Sequence, residues 1–317
     1  MVPKNISELA IISMNVCGFG NKMKRRAIIS HLERFKPGII CLSDTRLDEK
    51  SELMVRNEFE YNCFFNSLTS TCNSRGVAIM IKKSLPVTVE KVLKDGSGNW
   101  IIISIKYESR IINISNIYGP NEDSPQFFED LFNNINGHGL GSCIITGDFN
   151  TTLNFTLDNE NYAAAQNNQA RATLNQLISD FEYFDTYREL EGEKRDYTWF
   201  KKGGAQKGRL DMFLASNSLK PNITASRIVP TLKSDHHPIL LNIDFTKFIK
   251  GKGYWKFDSA LLNDTEYISR VKKSIKETCA KYMVHDSYTN FFQDCTDNEM
   301  LNFLETHTPS SLQNLDF

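Results

Sequence analysis

Residues 234–245 read SDHHPILLNIDF, an adjacent aspartate and histidine directly before a short apolar run. On its own the Asp-His pair fits an ordinary loop, because turns are rich in polar residues and often contain aspartate. The run that follows is rich in leucine and isoleucine and has the length of one buried strand. Whether the pair has a function therefore depends on the partners that the rest of the chain supplies.

Seven further apolar runs of strand length occur before residue 245, and they end at polar residues or glycine. They are LAIISMNV, GIICLSD, GVAIMIK, WIIISIKY, IINISNIYG, SCIITGDFN and RLDMFLAS. Apolar residues recur at helical spacing in three of the intervening segments, 22–36, 124–135 and 169–181. Strand–helix alternation with several directly successive strands predicts an α/β sandwich around mixed sheets.

Composition describes an ordinary soluble protein of 317 residues with a net charge of −1. This charge excludes a uniformly basic nucleic-acid-binding protein, so any such contact must come from local patches. Seven cysteines without CxxC spacing argue against a disulfide framework and a zinc site, and favour a reduced, intracellular protein. The N-terminus lacks the features of a signal peptide, and no apolar run is long enough to cross a membrane.

The strand–helix alternation stops after Phe245, which divides the chain into two parts. Residues 1–245 are predicted to form one domain. Residues 246–317 begin with a basic, glycine-containing connector, continue with apolar residues at helical spacing in 264–283, and end in a polar stretch. We expect this second part to be a helical extension or linker.

Polar side chains stand at the ends of several of the predicted strands. They are Asn15, Asp44, Tyr118, Asp148, Asn150, Asp211, Asp235 and His236. Each alone has an ordinary explanation: Asn15 could form a turn, and Asp211 could pair with Arg209. A series of separate strands that all end in such residues points instead to one shared polar cleft.

Two of these residues are suited to a metal. Asp44 and Asp235 provide hard oxygen ligands of the kind that Mg²⁺ prefers, with waters completing the shell. A metal held in this way can neutralise a phosphate oxygen and stabilise a leaving alkoxide.

The remaining polar residues suit the hydrolysis of a phosphodiester. A carboxylate such as Asp211 beside His236 would raise the pKa of the histidine, which could then donate to a phosphate oxygen. Asp148 with Asn150 could hold and deprotonate a water, and Tyr118 could bond the phosphate. Covalent catalysis fits poorly, because no serine or cysteine stands in a nucleophile-elbow context.

The order of these motifs resembles the exonuclease–endonuclease–phosphatase superfamily over about residues 8–245. The matching positions are Asn15, Asp44, Tyr118, GDFN at 147–150, YTW at 197–199, RLD at 209–211 and SDHHP at 234–238. The resemblance implies a DNase I-like, four-layered α/β sandwich, in which two packed mixed β-sheets are flanked by helices. It also implies a divalent-metal site.

Within the superfamily the chain looks most like the endonuclease domain of non-LTR retrotransposons. NIYGPN at 116–121, GDFN followed by two threonines, and YTWF at 197–200 are similar to that group, and so is GKGYWKFDSALLND at 251–264, which resembles the region ahead of the reverse transcriptase. The resemblance implies an enzyme that nicks double-stranded DNA with Mg²⁺, or Mn²⁺ as a substitute. It further implies a monomeric domain that acts in the nucleus, with 246–317 leading towards a reverse transcriptase.

The same resemblance assigns roles to the cleft residues. Asn15, Asp44 and Asp235 would lie near the metal, and Tyr118 would contact the scissile phosphate. Asp148 and Asn150 would handle the water, Asp211 would orient His236, and His236 would stabilise the pentacovalent phosphorus. Thr198 and Ser234 would line the DNA cleft. The segment 199–211 is expected to form a hairpin that probes DNA with Lys201, Lys202, Lys207 and Arg209.

Two positions depart from the family pattern. Asp44 stands where the family usually has glutamate at the main metal position, and Cys17 stands where some members have a second acidic ligand. A repair endonuclease for abasic sites, another phosphoesterase of the same fold and a catalytically weakened nucleic-acid-binding remnant therefore remain alternatives.

Overall fold

The computed structural model describes residues 8–67, 74–107, 110–162, 167–247 and 265–282. The chain divides into two units, Met1–Phe248 and Ile249–Phe317. The second unit is described over one helix, α6 (Thr265–Tyr282), as the helical spacing in 264–283 predicted. Most of the predicted connector and the polar stretch after Tyr282 lie outside the described residues. None of the helices in the described ranges has the length and hydropathy that spanning a bilayer requires.

The first unit contains two six-stranded sheets. The first sheet has the spatial order β14 (Ile223–Ile228), β15 (Ile239–Asp244), β1 (Glu8–Asn15), β2 (Ile39–Ser43), β4 (Val77–Lys82) and β3 (Tyr61–Asn66). Its neighbours are antiparallel except for the central pair β1 and β2, which runs parallel.

The second sheet repeats this pattern. Its order is β10 (Tyr183–Asp185), β13 (Asp211–Ser216), β8 (Ser142–Asp148), β7 (Arg110–Tyr118), β6 (Trp100–Tyr107) and β5 (Thr88–Lys94). Only the central pair β7 and β8 is parallel. Each sheet therefore has one pair of strands whose carboxyl ends point in the same direction, and the cleft residues follow these ends.

A small third sheet and five α-helices are also present among the described residues of the first unit. The third sheet has the order β11 (Trp199–Phe200), β12 (Lys207–Gly208) and β9 (Asn159–Glu160). It contains the predicted hairpin in 199–211. The helices are α1 (Lys22–Leu32), α2 (Glu49–Arg56), α3 (Pro125–His138), α4 (Asn168–Asp180) and α5 (Thr186–Glu191).

The core lies between the two large sheets, where every second residue of each strand points inward. Ile11 and Ile39 of the first sheet belong to the same buried cluster as Ile114 and Ile144 of the second. The outer face of the first sheet packs against α1, and that of the second packs against α3 and α4. This arrangement of helix, sheet, sheet and helix confirms the predicted four-layered sandwich.

All eight predicted strands and the three predicted helices of the first unit are present. The sequence did not indicate β3, β5, β10 or β14, which are the edge strands of the two large sheets, or β9, an edge strand of the third. Strand β5 is mostly exposed and has no continuous apolar run, so pairing with β6 rather than local composition makes it a strand. Helix α1 ends four residues earlier than predicted, because a 3₁₀ turn follows and Lys36 adopts a left-handed conformation with φ of 52°.

Candidate active site

The carboxyl ends of the two parallel pairs meet at one edge of the sandwich. Asn15 ends β1 and Asp148 ends β8, and the Asn15 amide donates a hydrogen bond of 2.8 Å from Nδ2 to Asp148 Oδ2. Asp211 begins β13 directly opposite Asp148 in the sheet register. This buried hydrogen bond joins the two sheets where the polar strand ends converge.

Asp148 is buried at this edge and is 1% exposed. Its Oδ1 accepts a hydrogen bond of 2.9 Å from the Asn150 backbone, so two donors hold the carboxylate in place. Burial raises its pKa to about 7; the charge of His236 opposes the shift and that of Asp211 adds to it. The preceding Gly147 is required by space, since a Cβ there would lie 2.1 Å from the Ile117 carbonyl oxygen.

His236 faces Asp148 across the cleft and is 5% exposed. Its Nδ1 lies 2.8 Å from Asp211 Oδ2, and its Nε2 lies 3.8 Å from Asp148 Oδ2. Burial lowers the pKa of His236, but the negative charges of Asp211 and Asp148 outweigh burial and raise the pKa to about 9. This is the contact between Asp211 and His236 that the resemblance implied, and it replaces the alternative pairing of Asp211 with Arg209.

Asp148, Asp211 and His236 offer ligand atoms that all lie within 4.8 Å of one another. In the described part of the chain no other group of three histidine, cysteine or acidic residues meets this spacing. Asp211 Oδ1 is buried without a hydrogen-bond partner among the described residues. A buried, unpartnered carboxylate oxygen favours a cation or an ordered water beside it.

Asp44 and Asp235 are not part of this group. Asp44 is 3% exposed, and Arg46 bonds both of its oxygens at 3.0 and 2.6 Å. Asp235 is exposed; its Oδ1 accepts from the Cys17 thiol at 2.9 Å and its Oδ2 from the Trp199 indole at 3.2 Å. Each of these two predicted metal ligands thus has a neutral or cationic partner at the cleft.

The residues at this edge fit a divalent cation in their chemistry. The carboxylates of Asp44, Asp148 and Asp211 and the amide oxygen of Asn15 are hard donors, which suit Mg²⁺ or Mn²⁺. Burial and the hydrogen bond to Asp235 raise the pKa of the Cys17 thiol, which borders these donors, to about 12.

Tyr118 and Asn150 border the same cleft. Asn150 donates from Nδ2 to the Gly119 carbonyl at 2.8 Å, which fixes its side chain beside the end of β7. Burial raises the pKa of Tyr118, and the charges of Asp44 and Asp148 add to the shift, so the phenol is a neutral donor. Both residues lie where the sequence placed them, next to the acids.

The structure corrects two of the predicted DNA contacts. Arg209 is 1% exposed and forms ion pairs with Asp158 at 2.7 Å and Asp185 at 2.6 Å, so it stabilises the interior. Thr198 is fully buried, and its Oγ1 accepts from the backbone of Leu210 and Asp211 at 3.0 Å. Sequence patterns do not distinguish a buried arginine or threonine beside a strand from an exposed one.

Ser234 connects the loop of His236 to the end of β1. Its hydroxyl donates to the Asn15 carbonyl at 2.8 Å and accepts from the His236 backbone at 3.1 Å. These two bonds connect the Asp-His pair to the end of β1. Ser234 therefore positions His236, whatever further contact it makes with a ligand.

The three hairpin lysines differ in their surroundings. Lys201 and Lys202 are exposed at the tip, whereas Lys207 is half-buried and bonds Glu160 at 2.9 Å. Lys201 and Lys202 are thus accessible at the hairpin tip, where cations can meet a phosphate backbone.

Sequence analysis did not assign roles to three cleft residues. The Trp199 ring packs on that of Tyr162 with centroids 4.3 Å apart, and this pair forms an aromatic wall beside Asp235. Arg46 neutralises Asp44. Trp199 belongs to the quoted YTW motif, which could have indicated it, but Tyr162 and Arg46 follow no pattern that local sequence reveals.

Left-handed backbone is concentrated around the cleft. Cys17, Asp44, Arg46, Asn150 and Lys233 all have φ between 47° and 65°. Such conformations cost of the order of 1–3 kcal/mol for residues other than glycine, and they cluster at functional sites. The loops of this edge are thus held in conformations that aim side chains at the cleft.

The raised pKa of His236 predicts a pH-dependent stability. The folded protein binds this proton more tightly than the unfolded chain, whose histidine has a pKa near 6.5. The resulting stabilisation is complete below pH 6.5 and is lost as the pH rises towards 9. Denaturant unfolding in EDTA measures the free energy of unfolding of wild type and of His236→Asn. Wild type should be the more stable of the two, and the difference should be larger at pH 6 than at pH 9.5. An advantage that is constant or grows with pH would contradict the assignment.

A layered sandwich of two mixed sheets, with an acid–histidine group at their shared edge, defines the class of DNase I-like hydrolases. The chain belongs to the endonuclease/exonuclease/phosphatase family, and the match to this family covers residues 12–236.

Two curated relatives support this assignment. The chain is 26% identical over 275 residues to the transposon TX1 uncharacterized 149 kDa protein of Xenopus laevis, covering 85% of this chain and 20% of that protein. It is 25% identical over 261 residues to an exodeoxyribonuclease of Bacillus subtilis, covering 74% of this chain and 100% of the relative. The chain thus spans about a fifth of the transposon protein, and that similarity agrees with the resemblance to retrotransposon endonuclease domains.

Solved structures share the fold. An AP endonuclease, LMAP, from Leishmania major superposes with a TM-score of 0.65 at 17% identity, covering 77% of this chain and 92% of that one. The catalytic domain of APE2 from Xenopus laevis superposes with a TM-score of 0.63 at 20% sequence identity. The alignment covers 74% of this chain and 92% of that domain. The third structure is a 3′ phosphatase, NExo, from Neisseria, bound to a product DNA hairpin. It superposes with a TM-score of 0.59 at 19% sequence identity, covering 75% of this chain and 100% of that one.

Proposed function

We propose that this chain is a divalent-metal-dependent endonuclease that nicks double-stranded DNA at the target site of a retrotransposon. The observation that carries the proposal is the buried group of Asp148, Asp211 and His236, which lies at the strand ends of both sheets and next to the segment that contacts the lysine-bearing hairpin. The family and its relatives support nucleic-acid phosphodiester hydrolysis. The transposon relative favours the retroelement role, which would place the enzyme in the nucleus.

In this proposal Asp148 is the general base. Its pKa near 7 leaves a substantial ionised fraction at neutral pH, and two hydrogen bonds aim its carboxylate. A water adjacent to Asp148 gives its proton to this carboxylate and forms a bond to phosphorus. The bond from phosphorus to the leaving oxygen breaks, and that oxygen keeps the electron pair and takes a proton from solvent.

His236 stabilises the charge that develops on the phosphorus oxygens. With a pKa near 9 it is protonated at neutral pH, and Asp211 holds its Nδ1 so that Nε2 faces the cleft. Tyr118 adds a neutral donor. Asp44, Asn15 and Asp235 would hold the divalent metal, whose charge, when it is bound, neutralises the phosphate further.

The test is nicking of supercoiled plasmid in Mg²⁺, in Mn²⁺ and in EDTA. We expect open-circle product in both metals and none in EDTA. A duplex with one abasic site, assayed beside the same duplex intact, distinguishes a repair enzyme, which would prefer the abasic substrate strongly. If neither DNA is cut, nicking restored by Asp44→Glu would indicate a lapsed nuclease, and no rescue would refute the proposal.

The hairpin lysines should determine much of the salt dependence. Replacing Lys201, Lys202 and Lys207 together with glutamine is expected to weaken DNA binding and flatten its salt dependence. The slope of log K against log salt should fall by about 0.9 for each phosphate that the variant no longer neutralises. Affinity across a salt series measures this effect.

A matched control is available at the opposite ends of the strands. Glutamine at Lys36, Lys106 and Lys220 removes the same charge from exposed positions remote from the cleft. The control should keep the wild-type slope. If both triple variants change the slope equally, net charge rather than the hairpin is responsible.

A further inference from the structure

The three-stranded sheet has two faces with different surroundings. Trp199 stands opposite Gly208, which stands opposite Asn159, and the next row consists of Phe200, Lys207 and Glu160. Neighbouring residues of a strand point to opposite faces. Because Trp199 reaches Asp235, its face looks towards the active site, and the row of Phe200 looks away from it.

The second face lines an open groove of about 590 Å³. Three rings border it: Phe200 lies 4.8 Å from His237 with an angle of 38°, and Tyr197 stands edge-on to Phe200 at 6.4 Å. Val229 and Pro230 add apolar surface. All three rings are half-buried, so each presents part of its surface to a ligand.

Ion pairing around the groove leaves an arginine at its margin to meet an anion. Lys207 lies over the Tyr197 ring, and Arg195 is exposed at the margin. The two acids that line the groove already have cationic partners, since Glu160 pairs with Lys207 and Asp196 pairs with Lys194 at 2.8 Å.

The groove is connected to the catalytic segment through the backbone. The Phe200 amide donates to the Asp235 carbonyl at 3.1 Å, and the His237 amide donates to the Thr198 carbonyl at 2.6 Å. His237 directly follows His236, so the groove begins one residue from the catalytic histidine, on the other face of the strand pair. A DNA strand that leaves the cleft around the hairpin can therefore reach it.

We propose that this groove binds one unstacked nucleobase of the DNA strand that passes the hairpin, an inference that rests on the proposed function. Aromatic side chains stack on any base, because every base has a π-face. Arg195 would meet the adjoining phosphate. The volume accommodates one base with its sugar, and the apolar floor disfavours a fully solvated ligand.

The experiment measures binding in EDTA, so that it does not depend on cleavage. The probes are a duplex with a single unpaired 2-aminopurine and the same duplex fully paired. Wild type should bind the unpaired probe about tenfold more tightly and change its fluorescence, as expected for one stacked base. The double variant Phe200→Leu, His237→Ala should lose this preference while its affinity for the paired duplex stays unchanged.

Two further variants keep the test decisive. Phe35→Leu changes a half-buried ring on another surface, and it should behave as wild type. Arg195→Gln changes an exposed cation without affecting folding, and it should weaken binding of the unpaired probe.

Each outcome has a defined meaning. A wild type without preference for the unpaired probe, or a double variant that retains the preference, overturns the inference. The protein could also prefer the unpaired probe, lose this preference in the double variant, and yet cut no plasmid. That result would support the groove and refute the nuclease proposal, so the two failures are distinguishable.

Discussion

A His236→Ala variant is expected to nick supercoiled plasmid at least about a hundredfold more slowly than wild type, because a positioned acid–base group contributes roughly 10²–10⁴ to the rate. The variant removes the cation that faces Asp148 and that Asp211 holds at 2.8 Å. Initial rates of open-circle formation at saturating metal measure the effect. His31→Ala, which removes a half-buried histidine of α1, is the control and should keep the wild-type rate.

Asp211→Asn removes the negative charge of this residue but keeps the size and shape of its side chain. Without the negative charge the pKa of His236 should fall, so the alkaline limb of the rate–pH profile should move to lower pH. A merely structural role for Asp211 would reduce the rate equally at every pH. Wild-type rates in His236→Ala would show that the chemistry lies elsewhere.

Arg209→Leu is expected to destabilise the first unit by about 3–5 kcal/mol, because removing one partner of a buried ion pair leaves an uncompensated charge. Here two acids are left without their shared cation: Asp158 is fully buried, and Asp185 is nearly so. Denaturant unfolding measures the change in stability. Lys220→Ala breaks the exposed pair with Glu189 and should cost no more than about 1 kcal/mol.

Arg188 could limit the destabilisation, since it also contacts Asp158. A destabilisation of Arg209→Leu as small as that of Lys220→Ala would mean that Arg188 and solvent compensate the two acids. In that case Arg209 would not be required to hold β12 and β13 together. The assignment of Arg209 to the interior rather than to DNA would still be tested by salt dependence, which this variant should leave unchanged.

Local sequence was informative where burial is strong. The central strands of both sheets read as continuous apolar runs, because packing on both faces requires apolar residues at every position. The runs ending in Asn15, Tyr118 and Asp148 were recognised for this reason. Edge strands such as β5 were not predicted, because pairing with a neighbouring strand rather than local composition makes them strands.

The sequence predicted which residues belong to the candidate site better than it predicted their contacts. Ordered motifs indicated Asp148, Asp211 and His236, and the structure brings these three together. The motifs did not show that Arg46 occupies both oxygens of Asp44, or that Cys17 and Trp199 occupy those of Asp235. These partners come from left-handed loops and from the hairpin, whose geometry depends on distant residues.

The sequence by itself determined the layered α/β class and the polar residues at the strand ends, because periodicity and strand-end chemistry are local properties. Only the tertiary structure decided which of these residues meet. Asn15 and Asp148 are separated by 133 residues and share one hydrogen bond, and Arg209 lies inside although its type is usual at a surface. Side-chain burial and electrostatic pairing depend on how the two sheets pack, and that information is not contained in any single motif.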